Sequence, residues 1–237
     1  MSSTAIHDDT RTIEARLIYN TAAGGASGFA VDGLLPVFAE SGIAVRYDPT
    51  ASEADLSAAL SDPGELVIAV GGDGTVRAVA TRLVGRSVPI TVIPAGTANN
   101  IAVALGVYGR APHEIIAGLA RPIRRFLDIG AARGSWGQQY FVESAGCGLF
   151  ADLLFSYSQE DGRSLLRALA TLVQVLPGYR GAPARVTVDG REFSGTFLLV
   201  EAMNSPYVAM RVPLAPEADI GDGEFDVVLV EDDARAG

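Results

Sequence analysis

The stretch Leu66 to Leu83, LVIAVGGDGTVRAVATRL, restricts the fold more than any other part of the chain. A short apolar run, Leu66 to Val70, stops at Gly71-Gly72-Asp73-Gly74-Thr75. Val76, Val79, Ala80 and Leu83 then recur at the spacing of one helix face. The order is strand, glycine-rich turn, helix. Glycines let the backbone approach an anionic ligand closely. The helix start that follows adds unpaired N–H groups and a positive dipole end. Asp73 is the odd member, because a carboxylate repels phosphate unless a cation or a substrate hydroxyl sits between them. An ordinary strand-to-helix turn with an Asp/Thr cap reads the same way, so this turn needs partners elsewhere to mean more.

The partners come from the alternation around it. Ile13 to Tyr19 reads as a strand ending at the small-residue turn Asn20-Thr21-Ala22-Ala23-Gly24-Gly25. Val31, Leu34, Leu35 and Phe38 share a helix face that stops near Ser41-Gly42, a good C-cap site. Ile43 to Tyr47 is a second strand, broken by Pro49-Thr50, and Ser52 caps a helix through Leu60. Pro89 to Ile93 is another strand, ending at Pro94-Ala95-Gly96-Thr97-Ala98-Asn99-Asn100. Helices follow over Ile101–Leu105 and His113–Leu119. Strands alternating with helices predict a parallel sheet covered on both faces. Its glycine-rich turns fall at strand carboxyl ends, the edge where open α/β sheets bind ligands.

The pattern changes after Arg121-Pro122. Arg124 to Ile129 and Gln139 to Ser144 read as strands, and Leu149 to Tyr157 fits either type. Leu165, Leu169, Leu172 and Leu176 form an apolar helical stripe, which serves as core or faces an acyl chain or a membrane. Ala184–Val188, Asp189-Gly190 and Arg191–Phe193 predict a hairpin with a two-residue turn. Thr196–Met203 and Phe225–Val230 are further strands, and the tail from Glu231 is acidic and loose. The expected organisation is an α/β nucleotide-binding domain over 12–122 and a β-rich domain over 123–237.

Composition removes several functions. The net charge is −10, and all 18 basic residues are arginine. A chain this acidic, without a basic block, is a poor candidate for sequence-independent nucleic-acid binding. The absence of lysine excludes a P-loop of the GxxxxGK[ST] type. With one cysteine, Cys147, there is no intrachain disulfide, which suits a reducing compartment. The flanking Ala145-Gly146 and Gly148 predict a tight turn with a buried structural thiol. His7 and His113 have no metal-ligand partner at useful spacing. The polar N-terminus carries no signal-peptide pattern, and no apolar run is long enough to span a bilayer. The expected location is cytoplasmic, with membrane contact only at the surface.

Taken together, Gly71-Gly72-Asp73-Gly74-Thr75, Ile93-Pro94-Ala95-Gly96-Thr97-Ala98-Asn99-Asn100 and Ala102-Ala104-Leu105-Gly106 resemble the catalytic domain of the superfamily of diacylglycerol kinases, bacterial lipid kinases and sphingosine kinases. Leu214-Ala215-Pro216-Glu217-Ala218-Asp219-Ile220-Gly221-Asp222-Gly223-Glu224-Phe225-Asp226 looks like its late signature. The glycine turn is shared with NAD kinases, but the late signature favours the lipid-kinase branch. The resemblance implies an NAD kinase-like parallel α/β domain and a β-rich, sandwich-like domain that here looks incomplete at its C-terminal end, with ATP in the cleft between them. It implies nucleotide contacts from Asn20, Thr21, Ala22, Ala23, Gly24, Thr50, Gly72, Asp73, Gly74, Thr75 and Thr97. Asp73 would be catalytic through metal or substrate. A structural Mg²⁺ would be held by Asp219, Asp222 and Glu224, hard oxygen ligands that suit it.

Departures from the pattern are specific. Thr21 replaces the usual proline, Arg77-Ala78 the usual Asn-Glu, and Asn100 an aspartate. The family's general-base glutamate belongs to an Asp-Gly-Glu beyond the late signature, and Asp222-Gly223-Glu224 aligns with the metal loop instead. The expected activity is ATP-dependent transfer of a phosphoryl group to the hydroxyl of a lipid such as diacylglycerol. Its partners would be ATP, the lipid, the inner membrane face as a peripheral contact, and a second copy as a homodimer. The alternative is a nucleotide- or lipid-binding relative without catalysis; a third is NAD kinase-like activity.

Overall fold

The structure, a computed structural model, describes residues 12–20, 31–158 and 176–232. It divides into two compact units, 1–124 and 125–237. In the first, β1 (Ile13–Asn20), β2 (Ile43–Thr50), β3 (Leu66–Gly71) and β4 (Ile90–Pro94) form one sheet in the order β2-β1-β3-β4. All three pairings are parallel. Parallel strands need crossovers, and α1 (Leu35–Glu40), α2 (Glu53–Ala59) and α3 (Asp73–Arg82) supply them. α4 (Asn100–Ala104) and α5 (Pro112–Gly118) follow β4.

Every residue of β3 is buried. A strand buried on both faces reads as a continuous apolar run rather than an alternating one, and Leu66 to Val70 is such a run. Leu66, Ile68 and Val70 join Ala15, Leu17 and Tyr19 on one face, packed with Phe38, Ile93 and Ile116. The alternate residues Ile18, Val67 and Ala69 are buried on the other face. Pro49-Thr50 does not break the second strand, because β2 runs through both to Thr50. β2 lies at the sheet edge, where a proline's missing N–H leaves no ladder bond unmade.

The second unit is antiparallel. β5 (Gly130–Gly134) and β6 (Gly137–Phe141) form a hairpin. β7 (Ser144–Gly148), the thirteen-residue β9 (Arg191–Met203) and β12 (Asp226–Glu231) make a sheet in the order β12-β9-β7, and β8 (Ala182–Val188) also pairs with β9. β10 (Tyr207–Val208) and β11 (Val212–Pro213) form a short ribbon. The β8–β9 hairpin turns on Asp189 and Gly190, whose φ values of 48° and 78° are both positive. That is the type I′ geometry that Asp-Gly favours.

Three expectations change here. Arg124–Ile129 is not a strand; the Asp128 amide donates to the Ile220 carbonyl (2.9 Å), so this segment docks on a loop instead of a ladder. The expected strand Gln139–Ser144 divides at Val142-Glu143. Asn204 holds that bend: its amide donates to Glu143 O (2.8 Å) and its Nδ2 to Val142 O (2.7 Å). Cys147 is exposed, not buried. Its neighbour Gly146 packs against Glu201 of β9, and strand alternation turns Cys147 to the opposite face. The ambiguous run resolves as α6 (Leu149–Ser158). The apolar stripe from Leu165 to Val173 lies outside the described residues.

Candidate active site

The strand order of the first unit reverses between β1 and β3. From β1 the chain moves outward to β2, then crosses back to β3. At such a switch point the loops after two adjacent strands leave in opposite directions and open a crevice at the carboxyl ends. Asn20 ends β1 and Gly71 ends β3, so the topology itself puts the glycine turn at the crevice. Thr21, Ala22, Ala23 and Gly24 lie outside the described residues. Thr50 stands opposite Asn20 in the ladder and is buried. Its Oγ1 donates to Tyr19 O at 3.0 Å, tying the ends of β2 and β1 together.

Two further turns meet backbone to backbone. The Ala95 amide donates to Gly71 O (2.9 Å), extending the β3–β4 ladder past the strand ends. A Cβ on Gly72 would stand 3.1 Å from Gly96 Cα, and one on Gly96 would overlap Gly72 Cα outright. Gly96 therefore needs to be glycine for close approach, whatever its dihedrals, and Gly72 leaves a side chain only a tight fit. Thr75 is buried, its side chain folded over Gly71. Gly74 is exposed with open space around it. The Asp73 and Gly74 amides are the first of α3, and the opening N–H groups of any helix lack an intrahelical acceptor. Thr97 is exposed at the tip of the neighbouring turn.

Asn99 shapes that turn. It adopts a left-handed conformation (φ 54°, ψ 42°), accepts from Gly96 N at 3.0 Å and donates from Nδ2 to Gly96 O at 2.7 Å. Asn tolerates this backbone region better than most residues. Asp73 Oδ1 accepts from the Ile101 amide at 2.9 Å. The carboxylate thus caps α4, since the side chain of its own N-cap residue, Asn99, turns back to Gly96 and gives the helix no capping bond. An anion at a helix N-terminus is stabilised by the exposed N–H groups and the dipole. Asp73 is partly exposed and belongs to both turns at once. The Asn99 clamp is an addition to the expected site; its sequence signal is an Asn within a small-residue turn just before a helix. Asp73 as the cap of a distant helix has no local signal.

The acidic residues of the late loop are arranged differently from the expected metal site. Asp219 faces Arg125, whose Nη2 lies 2.8 and 2.7 Å from its two oxygens. Asp222 Oδ1 accepts from Glu224 N at 3.0 Å, and Glu224 is exposed. Among the described residues no group of three His, Cys, Asp or Glu side chains gathers to hold a metal. A separate carboxyl, Glu201, is buried in β9. Burial pushes it above the usual carboxylate range, and a hydrogen bond with Ser144 opposes that only in part.

Comparison with known proteins follows the same division. Residues 14–132 match the diacylglycerol kinase catalytic domain, and residues 159–237 match the YegS C-terminal NAD kinase beta sandwich-like domain. The diacylglycerol kinase of Bacillus subtilis (strain 168) is 30% identical over 231 residues, 92% of this chain and 73% of that protein. The chain belongs to the diacylglycerol kinase catalytic family. Membership makes it a kinase with a parallel α/β domain followed by a β-sandwich-like domain. A probable lipid kinase YegS-like protein of Pseudomonas aeruginosa (strain UCBPP-PA14) is 31% identical over 69% of this chain, which spans 54% of that relative. A solved structure, a putative diacylglycerol kinase from Bacillus anthracis str. Sterne, superimposes with a TM-score of 0.69 over 95% of this chain and 77% of its own, at 21% identity. That likeness speaks for the fold alone. No helix among the described residues is long and apolar enough to cross a membrane.

Proposed function

We propose that this chain transfers the γ-phosphoryl group of ATP, taken as its magnesium complex, to the hydroxyl of a lipid of the diacylglycerol type. The observation that carries the proposal is the backbone contact between the Gly72 and Gly96 turns, which follow β3 and β4 on one side of the switch point. Two small-residue turns in contact bare backbone amides beside a helix start, as a polyphosphate cradle requires. The phosphate-binding set is Asn20, Thr21 to Gly24, Thr50, Gly72 to Thr75 and Thr97. Asp73 is the proposed catalytic carboxylate. One of its oxygens holds α4 in place, and the other is aimed by that bond. Phosphoryl transfer depends mostly on positioning and charge stabilisation, which this rigid edge suits. In the step, the lipid hydroxyl oxygen attacks the γ-phosphorus, the bond to the ADP oxygen breaks, and the hydroxyl proton leaves to a base. A lipid acceptor implies work at the inner face of a membrane from the cytoplasmic side, with a homodimer as the proposed assembly.

A second reading rests on the same aspartate. Because Asp73 already caps α4, its charge has a structural use without any chemistry, and a nucleotide-binding relative without turnover would keep it. An acceptor panel separates the readings. The chain is incubated with γ-phosphate-radiolabelled ATP and magnesium against diacylglycerol, monoacylglycerol, a sphingoid base and NAD. Label in a lipid phosphate is the expected result. ATP binding without label in any acceptor supports the second reading, and label in NADP would move the chain to nicotinamide dinucleotide chemistry.

A further inference from the structure

In the second unit, the segment Arg125–Asp128 lies against the loop Ala218–Glu224 through bonds of matched polarity. Arg125 Nη2 reaches both oxygens of Asp219, at 2.8 and 2.7 Å. Asp128 N donates to Ile220 O at 2.9 Å, and Asp128 Oδ2 accepts from Gly223 N at 2.7 Å. The segment offers a cation and, three residues on, an anion. The loop answers with a carboxylate and an amide. We propose that Arg125 takes the place of a divalent cation in this late acidic loop, so that an arginine clamp fixes the loop and no resident metal is held there.

Asp219, Asp222 and Glu224 crowd negative charge into one loop, and such a loop needs a counter-charge. The resemblance suggested Mg²⁺. Mg²⁺ demands near-octahedral oxygens at about 2.0–2.1 Å and keeps several waters. Here both Asp219 oxygens and one Asp222 oxygen are already engaged. Asp219 Oδ1 accepts from both Arg125 and Gly221 N (3.1 Å), and Oδ2 faces the same guanidinium. The Ile220 carbonyl accepts from Asp128, and Asp222 bends inward to Glu224 N. A dication bound at Asp219 would also stand beside a fixed positive charge. Ile220, 1% exposed, anchors the loop between the two polar fastenings. The ion pair itself is about half exposed, at 46% and 48%, so salt screens it.

The test is thermal unfolding of the full chain without nucleotide, in EDTA and in excess magnesium chloride. The proposal expects midpoints equal within about 1 °C, since only a ligand that binds the native state raises the midpoint. Arg125→Met and Asp219→Asn should each lower the midpoint by about 2 °C, and the double variant should fall no further than either. A magnesium-dependent rise of several degrees that Asp219→Asn abolishes would overturn the proposal, as would additive effects of the two substitutions. Should a variant fail to fold, titration of the unaltered chain with Mn²⁺, followed by the spin resonance of the free ion, decides. The expected result is no stoichiometric site, and tight one-to-one uptake overturns the clamp.

Discussion

Asp73 is one side chain with two separable duties. Asp73→Asn keeps an oxygen that can accept from Ile101 N, whereas Asp73→Ala removes it. Loss of a cap costs about 1 kcal/mol. Urea unfolding should therefore show Asp73→Ala destabilised by about that amount and Asp73→Asn within about 0.5 kcal/mol of the parent. Glycines 74 and 96 make a second contrast. Gly74→Ala meets open space, but Gly96→Ala drives a methyl into Gly72 Cα. The first should change stability by less than about 1 kcal/mol, the second should cost about 1–3 kcal/mol and weaken ATP binding, read by calorimetry. Glu201 governs a pH effect. Its pKa is raised on folding, so the folded chain holds a proton that the unfolded chain releases as pH climbs past the ordinary glutamate range. Its unfavourable contribution is absent at acid pH and grows up to the raised folded pKa. Glu201→Gln should melt higher than the parent at pH 8, and the gap should close towards pH 4.

Elements defined by local pattern were legible in the sequence. Asp189-Gly190 between alternating runs announced a two-residue hairpin, and Leu66–Val70 before a glycine turn announced a buried strand. Gly190→Ala places a Cβ at φ 78° and should cost about 1 kcal/mol by chemical denaturation. Elements defined by distant partners were not legible. Arg124–Ile129 has a strand's composition, but its amide partner is Ile220, far along the chain. The bend at Val142-Glu143 depends on Asn204, and periodicity carries no trace of it. Pro49 looked like a breaker because edge position is a property of the sheet, not of the proline.

At the scale of the molecule, the alternation of strands and helices was enough to place ligand chemistry at the carboxyl edge of a parallel sheet. The strand order β2-β1-β3-β4 was not legible, since any order of parallel strands satisfies the same alternation. That order sets the carboxyl ends of β1 and β3 side by side across a switch point and puts β4 next to β3, so that the Gly96 turn meets the Gly71–Thr75 stretch. The proposed activity rests on phosphoryl transfer at this edge through Asp73. The most direct measurement is the rate of label transfer from γ-phosphate-radiolabelled ATP to diacylglycerol in mixed micelles, for the parent and for Asp73→Asn. The expected result is turnover by the parent and a loss of at least about a hundredfold in the variant, with the variant's unfolding curve unchanged. A variant as active as the parent, or a parent that binds ATP and labels no lipid, would contradict it.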